Sequence, residues 1–265
     1  MKTLLRYLRI YFLLTSQYLK AKMSYRSDFL ISILGTVFWH LPSFFSIIVI
    51  FTNIPSLAGW SLEELVFIYG FYLLAMEPNG YIFGNVWSLG WQVQNGNFIK
   101  YYFRPLNMMF YFMSESVDLN SLWVLPVSIF LIVWSSIKIG VVWNIVMVFG
   151  TLALLFSASL IIIALMVAAA STSFWITNSH SLLMLVSRFR ENARYPITIY
   201  NSAFRIIFST ILPIGFVAFY PVQWILRPGE AGMAPFLTPF VGIASFLIAY
   251  LIWHKGAARW NGTGT

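Results

Sequence analysis

The chain alternates between long apolar blocks and short polar segments. Six of the blocks are predicted to be transmembrane helices, because each is long enough to cross a hydrocarbon core of about 30 Å. They lack the period-two alternation of a β-barrel wall, which favours helices. The predicted spans are residues 28–51, 62–89, 108–134, 142–169, 197–220 and 236–253. The sequence therefore predicts an all-α, polytopic membrane protein with a transmembrane domain over residues 28–254.

The segments that flank these spans are also patterned. In residues 1–27, Lys2, Arg6 and Arg9 share one helical face and apolar side chains another, which predicts a basic amphipathic helix along the inner leaflet. This stretch has no small-residue cleavage site, so it is not interpreted as a signal peptide. Residues 171–195 are predicted to hold the end of the fourth helix and then an interfacial helix. Residues 255–265 are predicted to be a cytoplasmic tail.

The positive charges fix the predicted orientation. Of the sixteen lysines and arginines, only Lys138 and Arg227 lie on the predicted outer side, and Arg205 lies within a span. With both termini in the cytoplasm, the other thirteen are on the inner side, as the positive-inside rule requires. These are Lys2, Arg6, Arg9, Lys20, Lys22, Arg26, Lys100, Arg104, Arg188, Arg190, Arg194, Lys255 and Arg259. The net charge of +8 is therefore attributed to membrane orientation and not to nucleic-acid binding.

Composition supports the membrane class and narrows the chemistry. Hydrophobic residues make up 60% of the chain and charged residues 9%, against about 25% charged in soluble domains. There is no cysteine, which excludes disulfides and thiolate chemistry. The three histidines, His40, His180 and His254, are scattered, and no metal site is predicted. No G-x-x-x-x-G-K-[ST] pattern occurs, so any ATP and Mg²⁺ are expected to bind to another subunit.

One polar segment, "NGNFIKYYFRPLN" (residues 95–107), differs from the others. Asn95 and Gly96 are typical of a turn, and residues 98–104 are predicted to form two helical turns that end before Pro105. On that helix Phe98, Tyr101 and Tyr102 share a face, and Lys100, Phe103 and Arg104 occupy the rest. Two interpretations are open: an interfacial helix with aromatics at head-group level, or a rigid projection that another protein binds.

Four ionisable residues fall within predicted spans. Inserting each at mid-bilayer costs about 2.5–3.5 kcal/mol of free energy. They are Glu77, Glu115, Asp118 and Arg205. Arg205 extends a polar stripe with Thr198, Ser202 and Ser209, and we expect it to pair with Glu115 or Asp118. Such a pair either orders the helix bundle or lines a cavity for a polar or amphipathic substrate.

A second pattern in the same spans concerns helix packing. Glu77, Gly80 and Gly84 are predicted to share a face of span two, which provides a small-residue contact surface. Pro78 is expected to kink this helix.

Several segments together resemble ABC-2 type transporter permeases, in particular six-span subunits of ABC export systems. These are "YRSDF" (25–29), "AGWSLEE" (58–64), "GNFIKYYFRPLN" (96–107), "FW" (174–175) and "YPITIY" (195–200), followed by Arg205 and Pro213. The resemblance implies that residues 95–105 form a coupling helix that binds a groove of an ATPase subunit. The tail departs from the family pattern at Trp260 and the glycines after it.

The resemblance implies the transmembrane subunit of an ATP-driven exporter in the bacterial cytoplasmic membrane. This permease has no ATPase site of its own, pairs with the same or a homologous permease chain and associates with separate P-loop ATPase subunits. The alternative is an ion- or proton-coupled transporter with Glu77, Glu115 and Asp118 as a relay, although the chain shows no internal repeat of the kind such folds carry. An intramembrane enzyme finds little support, because no nucleophile–base set stands out. The substrate is not encoded in any recognisable motif.

Overall fold

The described part of the chain consists of α-helices joined by short 3-10 turns, and it contains no strand. The structure is a computed structural model that describes residues 2–23, 26–118, 121–177 and 179–260. Its helices are α1 (Lys2–Met23), α2 (Arg26–Asn53), α3 (Leu62–Phe83), α4 (Leu89–Gln94), α5 (Met108–Ser114), α6 (Val124–Ile139), α7 (Ile145–Ser171), α8 (Ser179–Arg190), α9 (Ser202–Ser209), α10 (Phe219–Leu226) and α11 (Ala234–Arg259). The all-α prediction is thus confirmed over these residues.

Three helical stretches of the described chain are long and apolar enough to cross a bilayer. They are residues 34–53 of α2, residues 145–174 at α7, and α11. Residues 202–209 and 214–226, joined by a bend of 68°, provide up to one more. The protein is therefore a multi-pass membrane protein.

The prediction of one continuous helix over residues 108–134 was wrong. In the structure α5 ends at Ser114, residues 115–118 are not helical, and a 3-10 turn at residues 121–123 leads into α6. The interruption coincides with polar side chains such as Ser116 and Asp118. Serine and aspartate hydrogen-bond readily to nearby backbone groups and so compete with helix formation.

The prediction of a single helix over residues 197–220 was also wrong. Pro196 and Pro213 flank α9, and the chain bends on both sides of this short helix. Proline lacks a backbone N–H and pushes the residue before it towards extended geometry. Tyr195 adopts that geometry, with φ −115° and ψ 151°.

Helix α8 runs beside α3. It starts beside the residues that follow α3, where the rings of Trp87 and His180 are 6.3 Å apart. It ends at Arg190, which contacts Tyr72 halfway along α3. After α9 and α10 the chain arrives at Arg227, which binds Glu64 in the first turn of α3. Residues 179–227 therefore run the full length of α3 in broken pieces.

Two further boundaries differ from the prediction. Helix α3 ends at Phe83, so Gly84 lies at its carboxyl cap, at the start of a 3-10 turn (Gly84–Ser88), and not on a continuous face with Glu77 and Gly80. At the other end of the chain, α11 continues to Arg259, so the predicted tail begins as helix. Residues 261–265 of that tail lie outside the described residues.

Close helix pairs are formed where small residues meet. A Cβ at Gly242 of α11 would lie 2.7 Å from the carbonyl oxygen of Ser157 in α7. A Cβ at Gly70 of α3 would lie 3.0 Å from Ile132 Cγ1 and 3.2 Å from the carbonyl oxygen of Ser128 in α6. Small residues let helix backbones approach and gain dispersion contacts, which drive helix association in lipid. At Gly84, by contrast, the nearest atom to an added Cβ is Asp118 Cβ at 3.5 Å, which is an ordinary contact.

Candidate coupling site

The 95–107 loop connects α4 to α5 and is built from a left-handed turn and one 3-10 helix. Gly96 has φ +71°, a conformation that glycine adopts without the penalty paid by other residues. The 3-10 helix covers Asn97–Tyr101, so the predicted two turns of helix up to Arg104 were too long. Asn107 then caps α5, because its side-chain oxygen accepts a hydrogen bond of 3.1 Å from the Phe110 N–H.

The inner side of the loop is buried among aromatic rings. Phe98 and Tyr101 are both fully buried. The ring of Phe98 lies 5.1 Å from Phe174, 5.5 Å from Trp260 and 6.1 Å from Trp253. We call this set the aromatic cluster: Phe98, Tyr101, Phe112, Phe174, Trp253 and Trp260. It joins the loop to α5, to the end of α7 and to the end of α11.

Polar contacts reinforce the cluster. The Tyr101 hydroxyl donates its hydrogen to the Glu115 carboxylate and lies 3.0 Å from Gln92 Oε1. Burial, together with the hydrogen bond to Glu115, raises the pKa of Tyr101 above its usual value, so the phenol stays protonated and a donor. Lys100 pairs with the same carboxylate at 2.6 Å. Glu115, at the carboxyl end of α5, therefore binds two side chains of the loop, Lys100 and Tyr101.

The outer side of the loop is exposed. Phe103 is 79% exposed and Ile99 45%, and Arg104 and Pro105 are exposed beside them. Tyr102 lies between the inner and outer sides of the loop. Its ring stacks on Trp260 at 5.9 Å and its hydroxyl donates to the Ala257 carbonyl. Its side chain is nevertheless 38% exposed. Burial raises the pKa of Tyr102. The Phe98 ring lies 5.1 Å from that of Tyr101 and 5.9 Å from that of Tyr102, so the three side chains predicted to share a face lie together.

The predicted pairing of Arg205 with an acid of span three was wrong. Arg205 is exposed, and its guanidinium donates to the backbone carbonyls of Tyr200 (2.7 Å) and Thr198. Among the described residues, Glu115 forms an ion pair with Lys100, and Arg205 forms none. The break after α5 turns Glu115 towards the loop, which explains why its partner is Lys100 and not Arg205.

The other polar residues predicted within spans are dispersed. Glu77 is buried in α3, and Asp118 follows α5, with its Cβ 3.5 Å from the position of a Cβ at Gly84. Ser202 is exposed, whereas Ser209 hydrogen-bonds to the Tyr220 hydroxyl at 2.8 Å. The structure therefore brings together Lys100, Tyr101 and Glu115, but not the four ionisable residues as a group.

Sequence reasoning missed most of what holds the loop. Phe174, Trp253 and Trp260 come from segments distant in sequence, and nothing in the chain's local pattern marks them as partners of Phe98. The same applies to the pair of Lys100 and Glu115. The only local signal was the density of aromatic residues itself, since buried aromatic pairs contribute beyond their area.

Comparison with known proteins assigns the class and then the family. The long apolar helices define a multi-pass membrane protein. A family model described as "ABC-2 family transporter protein" matches residues 37–264. Because this match covers most of the chain, the chain belongs to the ABC-2 transporter family and is a permease-type membrane component. No curated protein matches it significantly, and no solved structure does.

Proposed function

We propose that the chain is the permease subunit of an ATP-driven exporter of the ABC-2 type. Two permease chains, identical or homologous, form the path, and separate ATPase subunits bind ATP and Mg²⁺. The observation that carries the proposal is the two-sided 95–107 loop: its inner side belongs to the aromatic cluster, and its outer side exposes Phe103 and Arg104. Aromatic residues and arginine are enriched at interface hot spots.

The loop's contacts supply a route for mechanical coupling. A movement of the outer side is transmitted through Phe98 to Trp253 and Trp260 near the end of α11. It also reaches α5 through Glu115. Tightly packed aromatic groups transmit displacement because protein interiors are close-packed. ATP-driven closure of the ATPases would then rock helices about the seam between two permeases.

The charge pattern supports six crossings with both termini in the cytoplasm. The crossings are α2, α3, α5 with α6, α7, residues 179–226, and α11. Because α8 belongs to the fifth crossing, Arg188, Arg190, Arg194 and Arg205 fall within it. Ten cations then remain inside and two outside, so the positive-inside bias persists. The proposed location is the bacterial cytoplasmic membrane.

An ion-coupled mechanism finds less support. The proposed relay of Glu77, Glu115 and Asp118 requires neighbouring carboxyl groups, but Glu115 is paired with Lys100 at the loop. That pair ties the Glu115 carboxylate to the element that would contact an ATPase. The family likewise favours ATP as the energy source.

The test is purification of the tagged chain from native membranes, with its bound subunits identified by mass spectrometry. We expect a stoichiometric P-loop ATPase with the wild type and its loss with the double variant Phe103→Ala, Arg104→Ala. The matched control is Phe240→Ala with Lys138→Ala, since Phe240 is 72% exposed but lies on α11 away from the loop. The chain's own thermal unfolding should be unchanged in both.

Two outcomes would reject the proposal. A wild-type chain that purifies without any ATPase would favour a gradient-driven transporter. Retention of the ATPase by the loop variant would show that the exposed aromatics lie at lipid head groups instead of at a protein interface.

A further inference from the structure

A polar cavity of about 600 Å³ lies beside the middle of α2 and α3 and the end of α8. Its polar walls come from His40 and Ser43 of α2, Tyr69 and Tyr72 of α3, and the segment 188–194. His40 and Tyr72 lie near the midpoints of their helices. In the proposed topology the cavity therefore lies within the membrane, towards the cytoplasmic end of the apolar span 34–53 of α2, where charged groups are costly and mark functional sites by default.

The cavity carries an excess of positive charge. Three arginines, Arg188, Arg190 and Arg194, line it with a single carboxylate, Glu191, which pairs with Arg188 at 3.6 Å. Within the described part of the chain, neither Arg190 nor Arg194 forms an ion pair. Two guanidinium groups without an ion-pair partner in such a cavity favour the binding of an anion, because unpaired buried charge is strongly unfavourable.

Arg190 is the most informative of the three. It is only 8% exposed, its terminal nitrogen donates to Ser187 Oγ at 3.3 Å, and its Nε has no partner among the described residues. Arg194 donates to Ser43 Oγ and likewise has an unpartnered Nε. Guanidinium groups with free N–H donors match the oxygen geometry of phosphate.

An apolar cavity adjoins the basic one. It measures about 200 Å³ and is lined by residues of α2, α3 and α6, among them Phe44, Leu73 and Val127. His40 and Tyr69 line both cavities, and the Tyr69 hydroxyl donates to the His40 carbonyl at 3.3 Å. The two cavities thus adjoin at His40 and Tyr69, one with a cationic lining and the other with a hydrocarbon lining.

We propose that the two cavities together bind a phosphate-bearing amphiphile, with its anionic group at Arg190 and Arg194 and its alkyl chain beside Leu73 and Val127. The exposed arginine Arg188 is held by Glu191, which leaves the two deeper arginines for the ligand. A free inorganic anion would satisfy the arginines but leave the apolar cavity unexplained. This binding does not depend on an ATPase subunit, so it is tested independently of the proposed function.

The experiment is a thermal-unfolding titration of the purified chain, with its co-purifying subunits, in dodecyl maltoside. The probes are dodecyl phosphate, butyl phosphate and inorganic phosphate. We expect stabilisation that saturates with dodecyl phosphate and little response to inorganic phosphate at the same concentration. In Arg190→Gln with Arg194→Gln, the apparent Kd for dodecyl phosphate should rise at least tenfold, a loss of about 1.4 kcal/mol or more.

Matched variants separate binding from folding. Lys138→Gln removes a cation from the end of α6 and should leave the titration unchanged. Arg190→Lys with Arg194→Lys keeps the charge and should restore part of the affinity. Val127→Phe narrows the apolar cavity and should weaken dodecyl phosphate without altering the response to butyl phosphate.

Three outcomes would overturn the proposal. The first is equal stabilisation of the wild type and the double glutamine variant by dodecyl phosphate. The second is equal stabilisation by inorganic phosphate, which would define a free-anion site. If the glutamine variant does not fold, an unchanged dodecyl phosphate affinity in Val127→Phe would overturn the placement of the alkyl chain.

Discussion

The loop before α3 and the 95–107 loop, which follows α4, are held in different ways. Before α3, Arg227 binds both oxygens of Glu64 at 2.7 and 2.8 Å, donates to the Gly59 carbonyl and stacks over Trp60 at 4.2 Å. The hydrogen bond to Glu64 raises the pKa of Arg227. After α4, the 95–107 loop buries Phe98 but exposes Phe103.

This difference distinguishes a contact that holds two helices of the chain together from a surface that is open to a partner protein. At the first loop, charge and aromatic ring are satisfied within the chain, so its role is to fix α3 against α10. At the second loop only the inner side is satisfied, and the outer side leaves a large aromatic residue and an arginine without cover. An arginine and an aromatic residue therefore stabilise the first loop internally, whereas at the second loop they are available to a partner.

The largest expected effect contrasts the two phenylalanines of the 95–107 loop. Phe98→Ala should destabilise the chain by about 3–5 kcal/mol, because it opens a cavity in the aromatic cluster. Phe103→Ala should change stability by less than about 0.5 kcal/mol. Unfolding with sodium dodecyl sulfate in mixed micelles measures both, and equal losses would contradict the two-sided loop.

The second effect concerns the Glu64–Arg227 pair. Glu64→Gln should cost about 1.5–3 kcal/mol, the range for hydrogen bonds to charged groups. Glutamine retains the capping box with Ser61, so the loss reports the ion pair rather than the helix cap. The control is Glu230→Gln, which removes a 65% exposed partner 3.6 Å from Arg227 and should change little. Similar losses of stability in the two variants would show that the Glu64–Arg227 pair does not fix α3 against α10.

The third effect tests the turn that directs the 95–107 loop. Gly96→Ala should cost about 1–2 kcal/mol, because alanine disfavours positive φ. No atom lies within 4 Å of the added methyl group, so the cost is conformational. Gly229→Ala is the matched control, since its Cβ also meets open space and its φ is not positive. The same unfolding assay applies, and a neutral Gly96→Ala would refute a strained turn.

The smallest effect concerns Lys100. Lys100→Met should reduce stability by less than about 1 kcal/mol, because the side chains of Lys100 and Glu115 are 47% and 32% exposed and water screens the pair. The loss should shrink further at high salt. Tyr101 still donates to Glu115 in the variant, so a loss comparable to that of Phe98→Ala would show that the ion pair holds the loop.

Much of the helical framework was predictable, and much of the site was not. The apolar runs at α2, α7 and α11 indicate helices directly, and Gly96 indicates its turn. The break after Ser114 was not predicted, because the polar residues there look like isolated exceptions within an apolar stretch. The course of α8 was not predicted either, since its arginines suggested a surface position.

The sequence by itself determined the class of the protein, the family and the location of the main helices. Run length, apolar content and turn residues act over a few neighbouring positions, so the chain order reveals them. Only the tertiary structure decided that Glu115 pairs with Lys100 and not Arg205, that Phe98 is buried while Phe103 is exposed, and that Arg190 lies beside Tyr72. These choices depend on which helices pack together at small residues such as Gly70 and Gly242, and that packing joins positions far apart in the chain.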